Sequence, residues 1–252
     1  MAASTNSSPV HCGRDQHGQT VLVIGGRSGI GLETARLARA QGADIILTAR
    51  NPDRLHRAGL ELGASIAAFD ATDFGRLERF FDALPAPIDH LLLTGPGPYS
   101  APLAEFDLDA ARRHVDARLL LPLQVTRDAA SKVRPGGTLL FMGGTGGRRP
   151  AAGRAFIAAL TAALPAMIKD LALEVAPVRV NLIAAGFVDT PLSASLLGDR
   201  LGERREQLRA TLPIGRVVGP ADVGALAVHL MTNTAITGAT LDIDGGQQLV
   251  AG

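Results

Sequence analysis

The amino-acid sequence predicts an α/β fold: a single domain built on a doubly wound, seven-stranded parallel sheet with helices on both faces. Short apolar runs alternate with helical patterns along nearly the whole chain, and no internal repeat or linker divides its 252 residues. Most of the runs contain at least three successive apolar residues, which is typical of parallel strands buried on both faces. Alternation of strand and helix over the whole length indicates the doubly wound arrangement.

Seven short apolar runs are the strand candidates. In chain order they are TVLVI (20–24), DIILT (44–48), SIAAF (65–69), HLLLT (90–94), GTLLFM (137–142), VRVNLI (178–183) and ATLDI (239–243). The segments between them carry helical patterns, near residues 29–41, 52–62, 73–83, 105–134, 151–175 and 220–232. We expect these helices to cover the two faces of the sheet.

Charge and cysteine content exclude several classes of function. The chain has 25 basic and 24 acidic residues, and this net charge of +1 provides no electrostatic footprint for nucleic acid or an anionic membrane. The single cysteine, Cys12, permits no intramolecular disulfide and fits a reducing compartment. The six histidines are scattered without metal-ligand spacing, so no metal site is expected.

The amino-terminal segment predicts the location of the protein. Residues 1–18 are polar and lack the apolar segment of a signal peptide, so we expect a disordered tail followed by one domain at residues 19–252. No apolar run reaches the roughly 20 residues that span a bilayer. The protein is therefore expected to be cytoplasmic and to bind no membrane.

The sharpest local pattern is VLVIGGRSGIG at residues 21–31, which follows the first strand and opens the first helix. Its glycines permit a tight turn and close backbone approach, so that amides at the start of the helix can hold a pyrophosphate. The alternatives are a strand-to-helix turn without a ligand and, for Arg27, a position facing water. The expected nucleotide-binding residues of this loop are Gly25, Arg27, Ser28, Gly29, Ile30 and Gly31.

The glycine spacing resembles the short-chain dehydrogenase/reductase (SDR) family, and the resemblance extends over roughly residues 20–249. It implies a Rossmann-type NADP-binding domain. In FDATD, the resemblance places Asp70 and Ala71 beside the adenine. In LTGPGPY, it places Gly95 at the nucleotide, although the family's Asn-Asn-Ala-Gly is replaced there.

Two segments near the carboxyl terminus extend the resemblance. In AAGFVDTP, it implies that Gly186, Val188 and Thr190 bind the nucleotide, with Thr190 on the nicotinamide amide. The segment TGATLDIDGG (237–246) resembles the family's closing strand, which often packs across a subunit interface.

The end of the second strand predicts which nucleotide binds. Family members that prefer NAD usually carry an acidic residue there, whereas this chain has Ala49 followed by Arg50. A guanidinium pairs with a 2′-phosphate through charge-assisted hydrogen bonds, and Ala49 supplies no carboxylate to repel that phosphate. We therefore expect NADP(H). The alternative for Arg50 is a solvated position in a loop.

All four positions that carry the family's catalytic residues are substituted. In the register set by LALEVAPVRVN, the positions of the serine, tyrosine, lysine and asparagine are occupied by Gly144, Ile157, Thr161 and Arg118. The chain contains one tyrosine, Tyr99, so no shift of register restores a Tyr-x-x-x-Lys motif.

Three residues are candidates to replace the lost groups. Tyr99 follows the fourth strand, at the edge of the sheet where ligands of this fold bind, and its alternative role is packing. Arg118 is a candidate to supply the lost positive charge or to bind a substrate carboxylate, the alternative being an ion pair such as one with Asp116. Thr145 carries the hydroxyl nearest to the missing serine.

The segment 155–175 is apolar nearly all round, so we expect it to be buried on two sides. One side would cover the sheet, and the other would meet the same helix of a second subunit in a homodimer or homotetramer. Pro165 is expected to kink this helix. Residues 191–215 have the length and place of the family's mobile substrate cover.

Three functions remain open from the sequence. The first is an NADP(H)-dependent oxidoreductase that acts on a small-molecule carbonyl or alcohol with non-standard catalytic groups. The second is a non-catalytic NADP(H)-binding regulator or scaffold. The third is a non-redox enzyme on the same scaffold, such as a cyclase, isomerase or dehydratase.

Overall fold

Seven parallel strands form one sheet in the computed structural model, which describes residues 15–250. The strands are β1 (Thr20–Ile24), β2 (Asp44–Ala49), β3 (Ser65–Ala68), β4 (Ile88–Leu93), β5 (Val133–Gly144), β6 (Arg179–Ala185) and β7 (Thr240–Ile243). Their order in the sheet is β3-β2-β1-β4-β5-β6-β7. The winding reverses after β3, which confirms the doubly wound fold predicted from the sequence.

Helices connect the strands and cover both faces of the sheet. They are α1 (Gly29–Ala40), α2 (Pro52–Leu62), α3 (Phe74–Asp82), α4 (Leu108–Val115), α5 (Leu121–Ala129), α6 (Ala155–Glu174), α7 (Pro191–Leu197), α8 (Leu201–Thr211) and α9 (Pro220–Thr232). The predicted substrate cover at residues 191–215 contains α7 and α8.

Each face of the sheet has its own apolar core. Side chains of α1, α2 and α9 pack on one face, and side chains of α3, α5 and α6 pack on the other. Along β1, Val21 and Val23 belong to the first core, whereas Leu22 and Ile24 belong to the second. Because both faces are buried, the strands are apolar at successive positions instead of alternating.

The helix predicted over residues 105–134 is divided. It consists of α4, a π-helical turn at Asp116–Leu120 and α5, and strand β5 already begins at Val133. The pairing of β4 with β5 changes register between Ile88 and His90. The residues that precede the predicted apolar run therefore form an irregular start of the strand.

The amino-terminal boundary also differs from the prediction. Of the expected tail, residues 1–14 lie outside the described residues, but Gln16 is fully buried and its backbone N–H donates to the Gln41 carbonyl at 2.8 Å. The packed domain therefore begins before residue 19.

Helix α6 is continuous through Pro165, so the proline does not interrupt it. One side packs on the sheet through Leu164, Ile168 and Leu171, while the opposite side, including Ala163, is exposed in the single chain. Only one of the two predicted sides is thus buried within one subunit. Contrary to the sequence expectation, this helix is long and apolar enough to cross a membrane by length and composition alone, and 33% of its most apolar 18-residue window is buried within the described chain.

Candidate nucleotide-binding and catalytic site

The predicted site residues meet at one edge of the sheet. The glycine loop follows β1, Arg50 follows β2, Gly95 lies beyond β4, and Thr145 and Gly186 follow β5 and β6. Because the strands are parallel, all of these positions lie at their carboxyl ends, where ligands of this fold bind.

Close backbone packing requires glycine in the first loop. Gly25 has a φ of +95°, and a Cβ atom built there would lie 1.9 Å from Oγ1 of Thr94. A Cβ atom at Gly31 would lie 2.6 Å from the carbonyl oxygen of Gly25. The start of α1 is therefore held against the end of β1 at a distance that excludes any side chain.

The amino end of α1 faces the segment that follows β6. Ser28 is the N-cap residue, and its side chain makes no capping hydrogen bond. Gly29 has a φ of +57°, and a Cβ atom at this position would lie 3.5 Å from Cβ of Thr190. Arg27, Ser28 and Ile30 are half-buried around this contact. The structure thus brings the two predicted nucleotide-binding segments together.

Arg50 and Asp70 lie next to one another at the ends of β2 and β3. Nη1 of Arg50 is 3.8 Å from Oδ2 of Asp70, and both side chains are largely exposed. The carboxylate of Asp70 accepts hydrogen bonds from the N–H and the hydroxyl of Thr72, and Ala71 is half-buried beside it. Ala49, at the end of β2, is buried and carries no carboxylate.

The segment after β6 is fixed by its surroundings. A Cβ atom at Gly186 would lie 2.6 Å from Cβ of Asp244, so this close contact requires glycine. Val188 is buried and forms an isolated bridge with Val218. Thr190 caps α7, with its hydroxyl accepting from the N–H of Ser193 at 3.3 Å.

Gly144, Ile157 and Thr161 occupy the positions that the sequence resemblance assigns to the family's serine, tyrosine and lysine. Gly144 has room for a side chain, since a Cβ atom would lie 3.6 Å from the Ala185 carbonyl oxygen and 4.0 Å from Cγ2 of Thr161. Ile157 is buried. The hydroxyl of Thr161 donates within its own helix, 2.8 Å from the Ile157 carbonyl. Gly144 and Thr161 line a pocket at the place where the resemblance expects polar side chains.

That pocket has a volume of about 100 Å³ and was not predicted from the sequence. It is lined by Gly144, Gly147, Arg148, Ala158, Thr161, Ala162, Pro165, Leu182 and Ala184. Gly147 permits the close approach that forms one wall, because a Cβ atom there would lie 2.2 Å from Oγ1 of Thr161. Arg148 forms an ion pair with Asp242. A short glycine pair after β5 was the only sequence signal for it.

Thr145 and Arg118 each bury a polar group that has no partner among residues 15–250. These groups are Oγ1 of Thr145 and Nε of Arg118. Arg118 lies in the π-helical turn, and its Nη2 donates to the Pro96 carbonyl in the loop after β4. Burial lowers the pKa of Arg118. Within the described part of the chain, it forms no ion pair with Asp116 or another carboxylate.

Tyr99 belongs to an aromatic cluster with Phe106, His114 and Phe156. Its hydroxyl oxygen accepts a hydrogen bond from the N–H of Asp107 at 2.8 Å. The ring therefore packs the loop after β4 against α4 and α6, while the hydroxyl hydrogen remains available as a donor.

Comparison with known proteins gives consistent results over nearly the whole chain. Residues 24–248 match a family model described as Enoyl-(Acyl carrier protein) reductase. The chain is 29% identical to Short-chain dehydrogenase/reductase ATR9 from Stachybotrys chlorohalonatus, over 91% of this chain and 96% of ATR9.

Two solved structures have closely similar folds. The MalC Reductase/Diels-Alderase from Malbranchea aurantiaca superposes with a TM-score of 0.86 at 27% identity, covering 94% of this chain and 99% of MalC. BdcA, solved in complex with NADPH, superposes with a TM-score of 0.82 at 27% identity, covering 93% of this chain and 96% of BdcA.

Proposed function

Because the chain belongs to the short-chain dehydrogenase/reductase family, whose members bind nicotinamide cofactors, we propose that it is an NADP(H)-dependent oxidoreductase. We infer that it acts on a small-molecule carbonyl or alcohol with non-standard catalytic groups. The observation that carries the proposal is the glycine loop, in which Gly25 and Gly31 exclude side chains and hold the start of α1 against β1.

The residues around this loop fit a dinucleotide. The first turn of a helix leaves backbone N–H groups unpaired, and the glycines allow a pyrophosphate to approach the first turn of α1 closely. Asp70 and Ala71 would lie beside the adenine, Gly95 beside the nucleotide, and Gly186, Val188 and Thr190 beside the nicotinamide. When bound, the nucleotide supplies the hydride for carbonyl reduction.

Arg50 supports NADP(H) over NAD(H). Its ion pair with Asp70 is long and exposed, and such pairs contribute little, about 0–1 kcal/mol. A 2′-phosphate offers the guanidinium shorter, charge-assisted hydrogen bonds, which are worth about 1.5–3 kcal/mol. The solved complex of BdcA with NADPH agrees with this assignment.

We assign to Arg118 the stabilisation of the negative charge that develops on the reacting oxygen. A guanidinium keeps its proton, so Arg118 would stabilise a developing alkoxide without protonating it. Thr145 has a buried hydroxyl without a partner among the described residues, and it would donate a hydrogen bond after a small rearrangement. Tyr99 remains the third candidate. In this proposal the final proton comes from Tyr99, from water or from an acidic group of the substrate.

A non-redox enzyme is the second candidate. The relative MalC is named both a reductase and a Diels-Alderase. A cycloaddition transfers no proton, so it would not require the tyrosine and lysine that this chain has replaced with Ile157 and Thr161. The pocket beside Gly144 is mostly apolar, and its volume of about 100 Å³ would hold only part of such a substrate.

One assay separates these functions. The purified protein is mixed with NADPH and a panel of aldehydes, ketones and unsaturated polycyclic precursors, while NADPH absorbance and products are followed together. NADPH consumption matched by alcohol formation supports the oxidoreductase. Product formation without NADPH consumption supports the non-redox enzyme. NADPH binding with neither outcome supports a regulator or scaffold, which would overturn the proposal.

A further inference from the structure

Two arginines near the carboxyl edge of the sheet have no carboxylate partner among the residues that the structure describes. Arg154 immediately precedes α6, and its Nη1 donates to the Gly146 carbonyl at 3.4 Å. Arg204 lies on α8, with its guanidinium carbon 5.9 Å from the centre of the Phe187 ring. Neither forms an ion pair among residues 15–250.

The sheet brings together the two residues that these arginines contact, Gly146 and Phe187. Gly144, at the end of β5, pairs with Ala185, at the end of β6. Gly146 and Phe187 each lie two residues beyond these paired ends, at the carboxyl edge of the sheet. The two arginines, one preceding α6 and the other on α8, therefore contact segments that follow neighbouring strands.

Their arrangement is electrostatically unfavourable in the chain alone. Burial first, and the positive charge of Arg154 second, lower the pKa of Arg204. The half-buried Arg204 has a hydrogen bond from Nη1 to Gln207, whose side chain is neutral. The adjacent Arg205 is different, because it pairs with Asp189 through two hydrogen bonds of 2.8 and 2.7 Å. A neighbouring pair of like charges, one of them partly desolvated, is stabilised by an anion between them.

We propose that Arg154 and Arg204 bind an anionic oxygen group of the substrate, either a carboxylate or a phosphate. Guanidinium groups match the planar or tetrahedral oxygens of these groups through paired hydrogen bonds. Since Arg204 lies on α8 and Arg154 immediately precedes α6, a bound anion would also tie α8 to the body of the domain. This inference specifies the substrate class of the oxidoreductase proposed above and rests on that function.

Binding experiments test the site without requiring turnover. The full-length protein is saturated with NADP⁺ and titrated calorimetrically with benzoylformate, with its uncharged methyl ester and with phenyl phosphate. We expect one of the two anions to bind at least about tenfold more tightly than the ester. The tighter anion identifies the preferred group. Equal affinity of both anions and the ester, or no saturable anion binding below about 10 mM, would overturn the proposal.

Matched variants locate the site. Arg154→Gln and Arg204→Gln should each weaken anion binding about tenfold or more and leave ester binding unchanged. Arg209→Gln, at an exposed position on the same helix as Arg204, serves as the control and should change neither. Equal losses in all three variants would contradict a specific site.

The same proteins distinguish this inference from the proposed function. NADPH titration and NADPH consumption are measured for each variant alongside anion binding. If NADPH neither binds nor reacts but anion binding depends on Arg154 and Arg204, the oxidoreductase function fails and the anion site stands. If NADPH is oxidised but both arginine variants bind the anion as the unmodified protein does, the anion site fails alone.

Discussion

At the scale of single residues, the three positions that the sequence resemblance assigns to the family's serine, tyrosine and lysine differ in packing and hydrogen bonding. Gly144 leaves space, Ile157 joins the apolar core, and Thr161 uses its hydroxyl on the backbone of its own helix. None of them can pass a proton to a substrate oxygen. Arg118 and Thr145, by contrast, retain buried polar atoms without a partner in the described part of the chain. Burying a polar atom without a hydrogen bond destabilises the fold, and a bound ligand that forms this hydrogen bond would remove the cost.

Arg50 is expected to determine nucleotide preference. The unmodified protein should bind NADPH at least about tenfold more tightly than NADH, because the guanidinium has a 2′-phosphate to bind only in NADPH. Arg50→Ala should remove most of this difference while leaving NADH binding nearly unchanged. Calorimetric titration of both nucleotides measures it. A preference that persists in the variant would show that another residue, such as Arg27, holds the phosphate.

His90 should make folding stability depend on pH. Burial first, and the charge of Arg179 second, lower the pKa of His90 to about 3, from an ordinary value of 6.5. In the unfolded chain, His90 therefore takes up a proton below about pH 6.5. In the folded chain, it takes up this proton only below about pH 3. The contribution of neutral His90 to the free energy of unfolding is fully present above about pH 6.5. Between about pH 6.5 and pH 3 it decreases by at most about 1.4 kcal/mol for each pH unit that the pH falls.

Chemical denaturation of the unmodified protein and of His90→Gln at pH 7 and pH 5 tests this expectation. The variant should lose less stability between the two pH values than the unmodified protein does. The comparison uses the difference between pH values, so a constant destabilisation by the substitution does not affect it. Identical pH dependence in the two proteins would show that folding does not change the pKa of His90.

At the scale of elements, Arg179 joins the start of β6 to the end of α9. This buried side chain donates to five backbone carbonyls, those of Gly136, Leu230, Met231, Asn233 and Ile236. Carbonyls at the end of a helix lack intrahelical partners, and a cation there also interacts favourably with the helix dipole. The arrangement satisfies a buried charge without a carboxylate.

Arg179→Met is therefore expected to destabilise the domain by on the order of 3 kcal/mol, because several buried carbonyls lose their donor. Arg134→Met is the matched control, since Arg134 is exposed and has a 3.5 Å ion pair with Asp89. It should cost about 1 kcal/mol or less. Urea denaturation of both variants gives the comparison. Similar losses would mean that the carbonyls find other partners.

Helix α6 has an exposed, alanine-rich side, and α5 and the preceding π-helical turn expose Leu123 and Leu120. We expect these surfaces to meet their equivalents in a two-fold dimer, either alone or within a tetramer. Ala163→Arg should shift the protein toward monomer in light scattering, whereas Ala83→Arg, on the end of α3, should not. A monomeric unmodified protein at micromolar concentration would contradict this prediction.

At the scale of the whole molecule, the sequence predicted the architecture because its strands are buried on both faces. It also predicted that the glycine loop, Arg50, Asp70 and Thr190 lie along one edge of the sheet. Contacts between residues far apart in the sequence could not be predicted in the same way. The closeness of Arg154 to Arg204 depends on how the cover folds, and the partner of Tyr99 depends on the loop that follows it. The π-helical turn at Arg118 has no distinctive residue pattern, so a single helix was predicted there.

We expect the protein to bind NADPH at its glycine loop but to lack the proton donor that the family's tyrosine supplies. The most direct measurement is the rate of NADPH consumption with generic aldehydes and ketones, under conditions in which NADPH binding has been verified. We expect rates about 10² to 10⁴-fold below those of a family member with the standard residues, and a further decrease in Arg118→Ala. Rapid turnover that survives both Arg118→Ala and Tyr99→Phe would contradict the account.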